Sequence, residues 1–137
     1  NARTHELVTV TNATYITATE VCTLLQQLAA LPLGLPLTVV LDNARYQRCA
    51  RVVTLAASLQ IELCFLPPYS PNLNLIERLW KFVKKQCLYS TYYADFPAFT
   101  TAITQCLAQT QTTHRTALAS LLTLRFQLFT KAQFFPA

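Results

Sequence analysis

The chain has 137 residues, 53% of them hydrophobic and 12% charged, which gives it enough apolar surface for one core and too little charge for a disordered tail. No apolar run reaches the ~18 to 20 residues of a membrane-spanning helix, because residues 37–41 end at Asp42 and residues 61–66 at Pro67. Eleven Lys and Arg against six Asp and Glu leave a net charge of +5, and seven of those cations (Arg45, Arg48, Arg51, Arg78, Lys81, Lys84, Lys85) lie between residues 45 and 85, a concentration that suits a polyanionic partner.

In chain order, residues 5–11 alternate and are rich in β-branched side chains, which predicts a strand. Thr17 and Glu20 have the spacing of a capping box, and the helix they open places Val21, Leu24, Leu25 and Leu28 on one face. Pro32, Gly34 and Pro36 end it in a loop. Leu37 to Leu41 is a short continuous apolar run closing on Asp42, the pattern of a strand buried on both faces of a parallel sheet. A helix over about residues 46–59 is expected next, with Cys49, Val52, Ala56 and Leu59 inward, and then a second buried strand over residues 61–66. This alternation predicts an α/β architecture with right-handed crossovers.

Pro67, Pro68 and Pro71 make a stiff arm, and a helix is expected after a Ser70 cap, with Pro71 in its first position. Leu73, Ile76, Trp80, Val83 and Cys87 form its predicted apolar stripe, with Trp80 in the core. Two more helices are expected. One starts near Asp95, with Phe96, Phe99, Ile103 and Leu107 inward, and the other covers about residues 113–129. The five cysteines stand singly and no C-x-x-C pair occurs, so a zinc site is not expected and the thiols suit a reducing compartment.

Each of the six carboxylates can be weighed singly. Glu6 lies in the first predicted strand, Glu20 in the capping box, Glu62 on a strand face and Asp95 at a helix start. Asp42 stands at the carboxyl end of a strand, where α/β sheets hold ligands; as a turn former with Asn43 it would be purely structural. Glu77 lies ~20° from Lys84 and ~40° from Lys81 on the helical wheel, so a surface pair with Lys81 is the plain alternative to a site role. Together, Asp42 and Glu77 are hard oxygen ligands suited to Mg²⁺ or Mn²⁺.

Leu41-Asp42-Asn43-Ala44, the segment Leu66-Pro67-Pro68-Tyr69-Ser70-Pro71-Asn72-Leu73-Asn74, and Ile76-Glu77-Arg78-Leu79-Trp80 followed by Lys81 and Lys84 closely resemble the catalytic domain of insertion-sequence transposases of the mariner-like superfamily. Residues 43–76, 34 in number, separate Asp42 from Glu77, which matches the spacing between the second and third catalytic acids of that superfamily. The resemblance implies a ribonuclease H-like domain that cleaves DNA at element ends and transfers the strand to target DNA with two Mg²⁺ (or Mn²⁺) ions. It makes Asp42 the second and Glu77 the third metal-binding, catalytic acid. Lys81 and Lys84 become candidates for contact with DNA phosphates, with Arg45 and Arg48 as weaker ones, while Tyr69, Asn72 and Asn74 shape the arm.

The family's first Asp has no counterpart before Asp42, and no helix-turn-helix region precedes the domain. The expectation is therefore an N-terminally truncated ribonuclease H-like domain over residues 1–137, with additional C-terminal helices, that is inactive by itself. The alternative is a catalytically dead remnant that binds nucleic acid or dimerises. A receiver-like domain with Asp42 as phosphoacceptor fits less well, since the single glycine, Gly34, leaves no phosphate loop. The expected partners are DNA and a second copy of the chain, with no membrane and no small-molecule cofactor. The expected location is a bacterial-type cytoplasm, on the nucleoid when DNA is bound.

Overall fold

A computed structural model of the chain describes residues 1, 3–68, 70 and 73–126. They fall into two compact units, Leu7–Asn74 and Asn1–Glu6 together with the chain from Leu75.

In the unit Leu7–Asn74, helix α1 (Ala18–Ala29) begins as the sequence predicts. The Thr19 amide donates to Thr17 Oγ1 at 3.2 Å and the Thr17 amide to Glu20 Oε2 at 2.7 Å. The Thr17 hydroxyl and backbone N–H hold the Glu20 carboxyl below its usual value, because both stabilise the charged form. Strands β1 (Leu37–Leu41) and β2 (Ile61–Phe65) pair in parallel, with Leu37 opposite Ile61 and Leu41 opposite Phe65. Helix α2 (Ala50–Ser58) links them, and Gln60, with φ 57°, closes that helix in the left-handed region before β2. Val21, Cys22 and Leu25 of α1, Val52 and Ala56 of α2, and Ile61 form the core, against which Leu37, Val39 and Leu63 pack. Fully burying a side chain such as Leu25 or Val52 contributes about 1.5 to 3 kcal/mol.

Three expectations for this region are corrected. Residues 5–11 form no strand, since alternation stabilises a strand only where a neighbouring edge completes its ladder and the described sheet consists of β1 and β2. His5 instead turns the chain at φ 59°. The strands are covered on one face only: Thr38, Val40, Glu62 and Cys64 face outward and are exposed, and Thr38 Oγ1 donates to Glu62 Oε2 at 2.6 Å. The segment expected to be helical from about residue 46 starts with a 3₁₀ turn, Arg45–Gln47, and α2 begins only after Cys49, whose extended backbone (ψ 153°) interrupts the helix.

The other unit is helical. Helix α3 (Leu75–Cys87) starts later than the expected Ser70 cap, although the Leu73 amide does donate to the Ser70 carbonyl at 3.1 Å. Pro71 lies outside the described residues, as do Tyr69 and Asn72 of the arm. Leu79 and Val83 are the buried side chains of α3, while Ile76 and Trp80 are 55% and 41% exposed, so the expected placement of Trp80 in the core is overturned. Leu75, Leu79, Phe82 and Val83 are also apolar at helical spacing, and packing selects their side of the wheel.

Helix α4 (Phe96–Ala108) is capped by Asp95, whose carboxylate accepts from the Ala98 amide at 2.7 Å. Its buried residue is Cys106, and Phe96, expected inward, is exposed. Helix α5 (Arg115–Leu121) contributes Leu118 to the core and stops well short of residue 129. At its last residue and beyond, the carbonyls of Leu121, Thr123 and Arg125 accept from the Arg78 guanidinium at 3.4, 2.8 and 3.3 Å. That competing donor replaces the helical ladder. No described helix is long and apolar enough to cross a membrane.

Candidate active site and nucleic-acid surface

Because β1 and β2 run parallel, their carboxyl ends lie at the same edge of the sheet. Asp42 follows β1 directly and is exposed there. The Leu66 amide donates to the Leu41 carbonyl at 2.8 Å, so the ladder extends one residue past β2 and the proline arm leaves the sheet beside Asp42. Arg48 reaches this end as well. Its guanidinium carbon sits 5.0 Å from the centroid of the Phe65 ring, and Phe65 is the last residue of β2. Such a cation over an aromatic face contributes about 0.5 to 1 kcal/mol when exposed.

Two polar side-chain atoms that follow Asp42 in the chain find no partner among the described residues. Asn43 Oδ1 and Gln47 Oε1 are buried and accept no hydrogen bond from any described residue. Nearly all buried acceptors in folded proteins are paired with protein or with ordered water, so these two oxygens stand out in the stretch after Asp42. Sequence reasoning treated Asn43 as a turn residue and passed over Gln47. Their spacing of four residues is the only signal the sequence offers, and it says nothing about burial.

In the other unit, Glu77 lies in the first turn of α3 and is exposed. Acids there are favoured by the helix dipole whether or not they have a further role. Lys81 is exposed and Lys84 half-buried, with Lys84 and Lys85 in the last turn, where cations are favoured for the converse reason. Asp42 and Glu77 belong to different units.

The basic stretch divides into engaged and available charges. Arg78 holds the three carbonyls at and past the end of α5 and stacks over Phe126, its guanidinium carbon 5.2 Å from the ring centroid. Arg51 donates to Thr19 Oγ1 at 3.2 Å. Arg45, Lys81 and Lys85 are exposed, as is Arg48 despite its ring contact.

For a divalent ion, the donor chemistry fits in kind. Asp42 and Glu77 are hard carboxylate ligands, and the amide oxygens of Asn43 and Gln47 are hard oxygen donors as well. Among the described residues, no three His, Cys, Asp or Glu side chains gather as a ready-made metal cluster.

No curated protein and no solved structure matches the chain. The family described as DDE superfamily endonuclease does match, over residues 1–100, a span that contains Asp42, the proline arm and Glu77. The chain belongs to the DDE superfamily endonucleases.

Proposed function

We propose that this chain is part of the catalytic domain of a mariner-like DNA transposase with a ribonuclease H-like fold, and that Asp42 and Glu77 are its second and third metal-binding acids. DDE endonuclease domains act on DNA, and membership in that family supports DNA as the substrate. The observation that carries the residue assignment is local. Asp42 stands exposed at the carboxyl end of β1, and the chain leaving the neighbouring end of β2 leads through the proline arm to Glu77 in the first turn of the next helix.

Asp42 and Glu77 would hold Mg²⁺ or Mn²⁺, which supplies water activation and leaving-oxygen stabilisation in phosphodiester cleavage. Asp42 directly follows a strand anchored by the core, which fixes its backbone at the sheet end. Lys81, Lys84, Arg45 and Arg48 draw DNA phosphates to the two units, and Asn43 and Gln47 offer acceptors to whatever donor enters beside Asp42.

Calorimetric titration with Mn²⁺ tests the assignment. Asp42→Asn and Glu77→Gln are each expected to abolish binding, while Glu62→Gln on the exposed strand face leaves it intact. In the complete transposase, the same two changes abolish nicking and spare DNA binding. Unchanged Mn²⁺ affinity in either variant refutes the shared centre. A catalytically dead nucleic-acid-binding remnant is the second reading, favoured by the exposed lysines of α3, which can bind DNA without any metal. It predicts DNA binding with no Mn²⁺ site at all.

A further inference from the structure

Trp80 is 41% exposed on a helix whose buried side is formed by Leu79 and Val83. An indole carries a large apolar area and normally gains by covering it. On the helical wheel Trp80 lies ~40° from Lys84 and ~60° from Glu77. It therefore sits on the stripe that carries both the proposed third acid and a cation. Ile76, one turn earlier, is exposed on the same side.

An aromatic face beside lysines is the combination with which proteins hold unpaired nucleotides. The base stacks on the ring and the flanking phosphates meet the cations, whereas a base within an intact duplex has no face to offer. The polyanion also suits this helix electrostatically, because Lys81, Lys84 and Lys85 outnumber its one acid, Glu77. We propose that the exposed face of Trp80 is a stacking platform for an unpaired nucleotide of the DNA substrate, with Lys84 and Lys81 on the adjoining phosphates. The inference rests on the DNA-processing function proposed above. It adds that the strand handled next to Glu77 is locally single-stranded.

The chain contains one tryptophan, so emission excited beyond the absorption of its six tyrosines reports on Trp80 alone. The test titrates the full chain, without divalent metal, with a fluorescently labelled single-stranded oligonucleotide and with the blunt duplex of the same sequence. Trp80 emission and the anisotropy of the label are followed in parallel. The single strand is expected to quench Trp80 strongly and the duplex to leave it unchanged. Trp80→Leu is expected to weaken single-strand binding by about tenfold, in line with stacking on one aromatic ring, and Trp80→Phe to retain most of it. Duplex binding stays the same in both variants.

If the label shows the single strand bound while Trp80 emission does not move, the platform is overturned and the DNA-binding function stands. Binding of neither DNA form overturns both. Blue-shifted emission that acrylamide cannot quench in the free chain also overturns the platform, since it shows that protein, either this chain or a second copy, already covers the ring. The measurement on the unaltered chain decides the matter even if Trp80→Leu fails to fold.

Discussion

Arg78 stands out among the cations because its positive charge is turned inward, and replacing it by Gln should be costly to stability. The hydrogen bond to the Thr123 carbonyl, at 2.8 Å and partly buried, is the strongest of its contacts, and a bond to a charged group is worth about 1.5 to 3 kcal/mol. The bonds to the Leu121 and Arg125 carbonyls, at 3.4 and 3.3 Å and exposed, add little, since water replaces them. The Phe126 ring adds about 0.5 to 1 kcal/mol. The expected loss is about 2 to 4 kcal/mol for Arg78→Gln. About half of that is expected for Arg78→Lys, which keeps the charge but not the planar fork that spans several carbonyls. Urea unfolding monitored by far-ultraviolet circular dichroism should show a lower midpoint with an unchanged slope, and amide exchange should accelerate in α5. The salt dependence of DNA binding should not change, because the guanidinium faces carbonyls. A stability change below about 0.5 kcal/mol, the range of an ordinary surface substitution, would refute this account of how the segment after α5 is held.

Double substitution of Lys81 and Lys84 by Ala should have the opposite profile: little change in urea midpoint, and a loss of about two from the slope of log affinity against log salt concentration, one per phosphate contact. An unaltered slope would remove these lysines from the DNA surface. Thr17→Ala should destabilise the chain by about 1 kcal/mol through loss of the α1 cap, read as a lower urea midpoint. Because the same contacts depress the Glu20 pKa, the stabilisation they give is present above the normal carboxylate range and is lost as pH falls through the lowered value; the Thr17→Ala deficit should therefore shrink in acid. Burial, with Cys87 beside it, pushes the Cys106 thiol up from 9.0 to about 11. The folded chain then binds a proton there that the unfolded chain releases, so this contribution is complete below pH 9 and declines from pH 9 to about 11. Mass spectrometry after iodoacetamide treatment at pH 8 should find exposed Cys64 modified and Cys106 untouched.

The parts of the fold that were legible in the sequence depend on neighbours in the chain. Thr17 with Glu20 announces α1, and Asp95 announces α4, because a cap is a contact between residues three apart. The runs ending at Asp42 and Pro67 announce β1 and β2 because breakers bound them. The early stop of α5 was not legible, since its cause, Arg78, lies more than forty residues upstream. Nor was the rotation of α3, where two overlapping apolar arcs, one through Leu79 and one through Trp80, satisfy the same periodicity and only tertiary packing chooses. For the candidate site, the position of Asp42 at a strand end could be read directly. The division of the cations into inward and outward ones could not, because counting charge does not reveal that Arg51 answers Thr19 or that Arg78 answers three carbonyls. The Asn43 and Gln47 oxygens were equally hidden, since burial of an amide is decided by what packs over it.

Those two amides also bear on how the chain has been shaped. Among the described residues neither oxygen meets a donor, and a buried acceptor that neither protein nor water reaches costs about 1 to 3 kcal/mol, a sizeable share of the ~5 to 15 kcal/mol that hold a small domain together. An aliphatic side chain of similar volume at position 47 would escape that cost. The first turn beyond β1 therefore relies on donors other than the described residues, and such dependence clusters where a protein must meet something other than itself.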